Sequence, residues 1–236
     1  MKHRIACARK SLLILWVVMG VLSGALANAA TLHLTDAQTL VSNLQISKKN
    51  VYGSNPSYIL WNGTASEART VCATFATLLL KRTYSYTDTY FSNWFGSSSP
   101  NAADYHDTIK LQKGFQRITN VSQIQPGDFL AIKYYDPNAT STGHVMLAAS
   151  VATSRVATSP IVTGTTQYQI TVIDSSQSYH GSTDTRYPSG QGIGQGVFRI
   201  YTDAAGTIVG YTWSLFSDSL FYTPDVRDLV VGRINK

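Results

Sequence analysis

The sequence predicts an α+β protein. Three observations carry that prediction. Apolar residues recur at helical intervals in the first half of the chain, they alternate with period two in the second half, and no linker separates the halves. The chain has 236 residues, enough for one well-buried domain and short for two. Its 44% apolar and 14% charged content excludes a disordered chain.

Residues 1–30 read as a secretory signal, leaving 31–236 as a single domain. Met1–Lys10 is basic, Leu12–Leu22 is apolar, and Ala27-Asn28-Ala29 fits the small-x-small cleavage pattern. The apolar run is short of the roughly 20 clean residues a spanning helix needs. The expectation is export to the periplasm or the extracellular medium, with no stable membrane span after cleavage. The net charge of +6 misleads, because Lys2, Arg4, Arg9 and Lys10 all lie in the signal. Without those four, 15 basic residues face 13 acidic ones, which gives no electrostatic reason to expect a nucleic-acid partner.

The elements follow in order. Thr35 to Gln38 has capping-box spacing, and Leu40, Val41 and Leu44 follow at helical intervals, so a first helix is expected near 36–46. Tyr58 to Trp61 is a short apolar patch closed by Asn62-Gly63. A second helix carries Cys72, with Val71, Phe75, Leu78 and Leu79 in one stripe. It starts either at Thr64, which buries Cys72 in the second turn, or at Thr70, which places it in the first. Only a first-turn thiol feels the full dipole and the free N–H groups. A short helix is expected near 87–95, ended by Gly96, and another from Asn101 to about Lys113. Strands are expected at Phe129–Tyr135, His144–Val151, Tyr168–Asp174 and Asp228–Ile234, with a hairpin formed by Val197–Thr202 and Thr207–Leu215. Residues 175–196 read as a long Gly/Ser-rich loop, of the length that is usually functional or disordered.

Cysteine arithmetic is the sharpest clue to chemistry. Cys7 and Cys72 are the two cysteines, so cleavage of the signal leaves one thiol. Exported proteins tend to pair cysteines or avoid them. Cys72 is therefore either a buried apolar filler or a nucleophile. One cysteine and scattered histidines cannot build a thiolate zinc cage, so structural zinc is not expected, and cysteine chemistry of the kind considered next implies no metal or organic cofactor. A nucleophilic thiol needs an imidazole base and a polar group to orient that imidazole. His33 sits at the mature N-terminus, and His106 lies on a polar helix face that reads as solvated. His144 opens an apolar strand after Gly143, the better place for a base. Asp174, at the end of the next strand, or His180, six residues on, could orient it.

Gly114-Phe115, Ile118, Val121 through Pro126-Gly127-Asp128-Phe129-Leu130, and Gly143-His144-Val145 together resemble the secreted NlpC-type cell-wall cysteine peptidases of the papain-like superfamily, which are related to the CHAP amidases. The resemblance covers roughly Tyr58 to Asp174 and departs at the nucleophile, where Val71-Cys72-Ala73-Thr74 stands in place of Asp-Cys-Ser-Gly. It implies a papain-like fold, with N-terminal helices and a Cys-bearing helix packed on a mainly antiparallel sheet. It implies a peptidase or amidase cleaving peptidoglycan stem peptides or a related peptide substrate, with Cys72, His144 and Asp174 as triad and His180 as the alternative third member. Tyr58 and Asn62 would be oxyanion or substrate-positioning groups, Asp128 a structural residue, and loop 175–196 an overhang that selects substrate. Two rivals stand beside this reading. One is a wall- or glycan-binding protein using Tyr84, Tyr86, Tyr90, Trp94 and Phe95 as a platform, against which those rings serve as packing. The other is an acyl or glutamyl transferase using the same triad.

Overall fold

A computed structural model describes residues 32–188 and 190–235. The stretch expected to be an export signal, with Cys7, lies outside the described residues. The protein is α+β. Helix α1 runs over 32–47, longer than its sequence signal, and buries Leu34, Ala37, Leu40, Val41 and Leu44. The extra turn follows from His33, which is fully buried. Its Nε2 meets the Gly127 carbonyl at 2.8 Å, its Nδ1 meets the Tyr84 hydroxyl at 2.8 Å, and its ring stacks on Phe129.

Three short strands come next: β1 (Asn50–Tyr52), β2 (Tyr58–Leu60) and β3 (Glu67–Thr70), arranged β1-β3-β2. Then come α2 (Cys72–Tyr84), α3 (Asp88–Phe95) and α4 (Ala102–Lys110). Gly96 closes α3 in the left-handed conformation, and Asn101 caps α4 through the Asp104 N–H. The remaining strands are β4 (Phe115–Ile118), β5 (Phe129–Tyr134), β6 (Gly143–Ala148), β7 (Thr153–Ser154), β8 (Thr166–Ser176), β9 (Gly192–Thr202), β10 (Ile208–Thr212), β11 (Phe221–Tyr222) and β12 (Arg227–Ile234). They form one antiparallel sheet in the order β11-β10-β9-β8-β6-β5-β12-β4, with β7 beside β8.

This sheet curls. Tyr222 at one end of the strand order touches Arg227 near the other, and Asn120 bridges to Thr207. The curl explains why β5 and β6 are apolar at successive positions rather than alternate ones. Phe129, Ala131, Val145 and Leu147 face the helices, packing with Phe75, Leu79, Trp94 and Tyr105. Leu130, Ile132, Met146 and Ala148 point inside the curl, among Val172, Phe198, Ile200 and Tyr211. Each face buries its own apolar set, the arrangement that fixes strand register most firmly.

Several expectations are corrected. His106 is fully buried rather than solvated, between Asp107 at 2.8 Å and Asp228 at 3.0 Å. Asp228 arrives from β12, a partner that the local periodicity of α4 could not reveal. The aromatic group at 84–95 packs on the core. Trp94 is fully buried, its indole N–H donates to the Lys113 carbonyl at 2.7 Å, and Tyr86 stacks on Tyr90 with centroids 4.1 Å apart. The stretch 175–196 is not one loop, because β8 runs on to Ser176 and β9 begins at Gly192. Among the described residues no helix is long and apolar enough to cross a membrane.

Candidate active site

Cys72 is the first residue of α2. Neither Thr64 nor Thr70 caps the helix, because β3 carries extended backbone through Thr70 to Val71, which is the N-cap. The Val71 N–H donates to the Thr74 hydroxyl at 3.0 Å, and that hydroxyl donates back to the Val71 carbonyl at 3.1 Å. The turn is thus closed by a side chain three residues on, and the thiol takes the first-turn position. Thr70 is tied to β8 by a reciprocal pair with Ser175, at 3.0 and 2.8 Å. That fixes the start of the helix beside the strand that carries Asp174.

His144 is the second residue of β6, and Asp174 lies near the end of β8. Ala148 pairs with Val172 across these strands, so alternation places His144 and Asp174 on one face. His144 Nε2 donates to Asp174 Oδ2 at 2.6 Å, leaving Nδ1 for the thiol. Cys72 is within hydrogen-bonding reach of that ring and of the Val145 N–H. All three are buried, at 5% exposure for Cys72, 6% for His144 and none for Asp174.

Burial and charge compete here. Burial pushes the Cys72 thiol up, but the His144 ring and the Val145 N–H outweigh it and hold the thiol below its ordinary range. Burial pulls the His144 imidazolium down, yet Cys72 and Asp174 raise it to about 9. The two shifts favour a thiolate–imidazolium pair at neutral pH.

Asp174 has further partners. Burial would raise its carboxyl, but Arg186, His180 and His144 hold it well below the usual carboxylate range. His180 Nε2 lies 3.0 Å from the same Oδ2, and an Arg186 terminal nitrogen lies 2.8 Å from Oδ1. His180 Nδ1 donates to the Trp213 carbonyl at 2.7 Å, so both ring nitrogens face acceptors. Arg186 is in turn gripped by Asp184, at 2.9 Å through Nε and 2.8 Å through a terminal nitrogen. Asp184 also accepts the backbone N–H groups of His180 and Arg186, each at 2.8 Å. Gly194 and Gly196 on β9 make room, since a Cβ at either would collide with Arg186 or with Asp184 and His180. The indole of Trp213 stacks on His180 with centroids 4.1 Å apart and meets His144 edge-on at 4.7 Å.

His180, the alternative third member, therefore touches Asp174 and is a partner of the carboxylate rather than a substitute for it. Tyr58 lies on β2 opposite Arg69, near Lys49, and Asn62 is exposed at the start of a 3-10 turn. Neither is among the groups that shift the thiol. Three other phenols, Tyr52, Tyr105 and Tyr134, sense the thiol's charge, and of these Tyr52 on β1 is pushed up to about 12 by burial and by the Cys72 and Asp174 charges. It stays protonated, and so remains a donor, at neutral pH. Sequence reasoning missed Tyr52, Trp213, Asp184 and Arg186. The Gly192-x-Gly194-x-Gly196 alternation was the available signal that a strand face there is cleared for large side chains. Asp128 is buried and structural, paired with Arg233 at 2.8 Å and accepting the Gln125 N–H. Among the described residues no three His, Cys, Asp or Glu side chains converge as a metal site.

No family model matches the chain, and no solved structure matches it. The chain is 34% identical over 208 residues to "Uncharacterized protein R653" of Acanthamoeba polyphaga mimivirus, spanning 81% of this chain and 92% of that protein.

Proposed function

We propose that the chain, which belongs to the same family as the mimivirus protein R653, is an exported cysteine hydrolase of papain-like fold that cleaves an amide bond in a peptide. The observation that carries the proposal is the relay of contacts from Cys72 through His144 to the buried Asp174. The Cys72 thiolate attacks the carbonyl carbon, and its electron pair forms the C–S bond as the carbonyl π electrons move to oxygen. The Cys72 backbone N–H, at the helix start where no intrahelical acceptor is available, and the Tyr52 hydroxyl would stabilise that oxyanion. His144 Nδ1 gives its proton to the leaving amine as the C–N bond breaks. It then takes a proton from water, which attacks the thioester, releases the acid and restores the thiolate. Asp174 holds the ring by Nε2 throughout.

The choice of peptidoglycan stem peptides as substrate comes from the NlpC-type resemblance alone and is held separately from the mechanism. Iodoacetamide should alkylate Cys72 faster than a free cysteine at pH 6–7, with an apparent pKa below the reference of about 8.5. Cys72→Ala should release no fragments from purified cell wall where the wild type does. Full activity in Cys72→Ala would end the proposal, and products formed with an added amine would separate transfer from hydrolysis.

A further inference from the structure

We propose that Arg227, with Tyr134, Tyr222 and Tyr211 around it, forms a binding site for a substrate carboxylate where the two ends of the curled sheet meet, so that the peptides this protein takes carry a negative charge. The inference rests on the hydrolase reading for the word substrate, but the site is argued from its own geometry.

The Arg227 guanidinium is held between two rings, with Tyr134 at 4.1 Å and Tyr222 at 4.0 Å. Two faces fix its plane before any ligand arrives, the preorganisation that makes a planar fork selective. Among the described residues no carboxylate lies within ion-pair distance of it. Its neighbour Asp228 is taken up by His106 at 3.0 Å and Lys110 at 2.8 Å. Arginines placed only to hold a fold usually reach a carboxylate or a carbonyl, as Arg186 and Arg199 do here.

The polar atoms around Arg227 are short of an acceptor. Its Nε is enclosed and has no partner, and the Tyr211 hydroxyl, on a residue only 1% exposed, faces the Arg227 guanidinium, which leaves its own proton without an acceptor. Enclosed donors without acceptors are uncommon in folded proteins and call for an explanation. A carboxylate, which brings two acceptor oxygens and one negative charge, complements this set, whereas an amide or an amine does not.

The location ties the cluster to the chemistry. A continuous run of ring contacts leads from Arg227 to the imidazole. Tyr222 meets Tyr211 at 5.5 Å, Tyr211 meets Phe198 at 5.1 Å, Phe198 meets Trp213 at 6.4 Å, and Trp213 meets His144 at 4.7 Å. From the other side, Tyr134 lies two residues beyond Ile132, the strand partner of His144.

The test uses Cys72→Ala, which binds without turnover, so its outcome does not depend on whether the wild type cleaves anything. Two peptides are titrated by calorimetry: Ala-Glu-Lys-Ala with a free C-terminal carboxylate, and Ala-Gln-Lys-Ala capped as the carboxamide. The acidic peptide should bind at least about tenfold more tightly, the size expected of one charge-assisted fork. Adding Arg227→Met should bring that ratio below about twofold, and Arg227→Lys, which keeps the charge and loses the plane, should lower it by at least about threefold. Equal affinity for the two peptides, no measurable binding of either, or a ratio that survives both substitutions overturns the proposal. Should Arg227→Met fail to fold by circular dichroism, Arg227→Lys decides alone. Cleavage of neither peptide by the wild type would count against the hydrolase reading and leave this comparison intact.

Discussion

Replacing Arg186 by Met removes the cation that stands between two buried carboxylates. Asp174 is 0% exposed and Asp184 is 5% exposed, and both lie 2.8 Å from an Arg186 terminal nitrogen. Met keeps the length of the stem and removes the charge, so the loss is electrostatic rather than a cavity. Stranding a buried charge by deleting its partner costs about 3–5 kcal/mol. His180 still reaches Asp174, and the two backbone N–H groups still reach Asp184, which puts the expectation at the lower end of that range. For a protein of this size each kcal/mol moves the melting temperature by roughly 2–4 °C, so Arg186→Met should melt about 6–12 °C lower at pH 7. The pH dependence has a definite sign. Asp174 has a folded pKa far below its unfolded value, so it contributes stability above an unfolded pKa of about 3.9 and loses it as the pH falls through the folded value. Without Arg186 the folded value rises, so the variant loses that contribution sooner on acidification. Differential scanning calorimetry at pH 7 and at pH values below about 4 measures both effects. A second readout follows from the coupling, because Asp174 remains ionised in alkali and, without the Arg186 cation to offset it, holds the His144 proton more tightly, so the imidazolium rises from about 9. The alkaline limb of turnover should then move up. A melting temperature within 2 °C of wild type together with an unmoved alkaline limb would show that Arg186 does not hold Asp174 ionised.

Wild-type kcat/KM should fall as the pH rises past about 9, where the His144 imidazolium gives up its proton, and a flat profile to pH 10 would contradict the ion-pair assignment. Gly143→Ala should destabilise by about 3 kcal/mol or more in urea titrations, because φ is +149° and the new Cβ would collide with the Ile132 carbonyl; wild-type stability would mean that this bend is not rigid. Tyr52→Phe should lower kcat by about 100-fold while iodoacetamide labelling of Cys72 stays within about twofold of wild type. A kcat within threefold of wild type would remove Tyr52 from the oxyanion site.

What the sequence made legible follows from range. Helices α2 to α4 announce themselves because caps and stripes act over three or four residues, and Gly96 and Asn101 stand where the ends fall. The strands around His144 and Asp174 are legible for the same reason, and so is the order of the three residues along the chain. His106 failed because its partner lies 122 residues away, and a residue on a polar helix face looks solvated until β12 is placed against it. Tyr58 is separated from Tyr52 by strand order. β2 is the outer strand beyond β3, and Tyr52, which senses the thiol's charge, comes from β1, on the other side of β3. The Gly-rich stretch misled in the opposite direction. Glycines that read as loop formers are strand residues whose missing side chains leave space for Arg186, Asp184 and His180. Composition cannot tell these two uses of glycine apart, whereas a spacing of two can.

That space changes the role of the segment between β8 and β9. A flexible overhang would select substrate and leave the chemistry indifferent to its removal. Here the segment supplies His180, Asp184 and Arg186, and each holds Asp174 or holds a group that does. The signs alternate outward from the sulfur: thiolate, imidazolium, Asp174, Arg186, Asp184. Each buried charge is therefore flanked by its opposite, and the run ends on backbone N–H groups at Asp184. A lone thiolate–imidazolium pair as enclosed as Cys72 and His144 would collapse to its neutral form. The ion pair persists because its environment is charged in sequence, and the last two links of that sequence lie in the segment that looked least structured. Shortening it should therefore abolish the reactivity of the thiol, where shortening a lid would broaden the range of substrates.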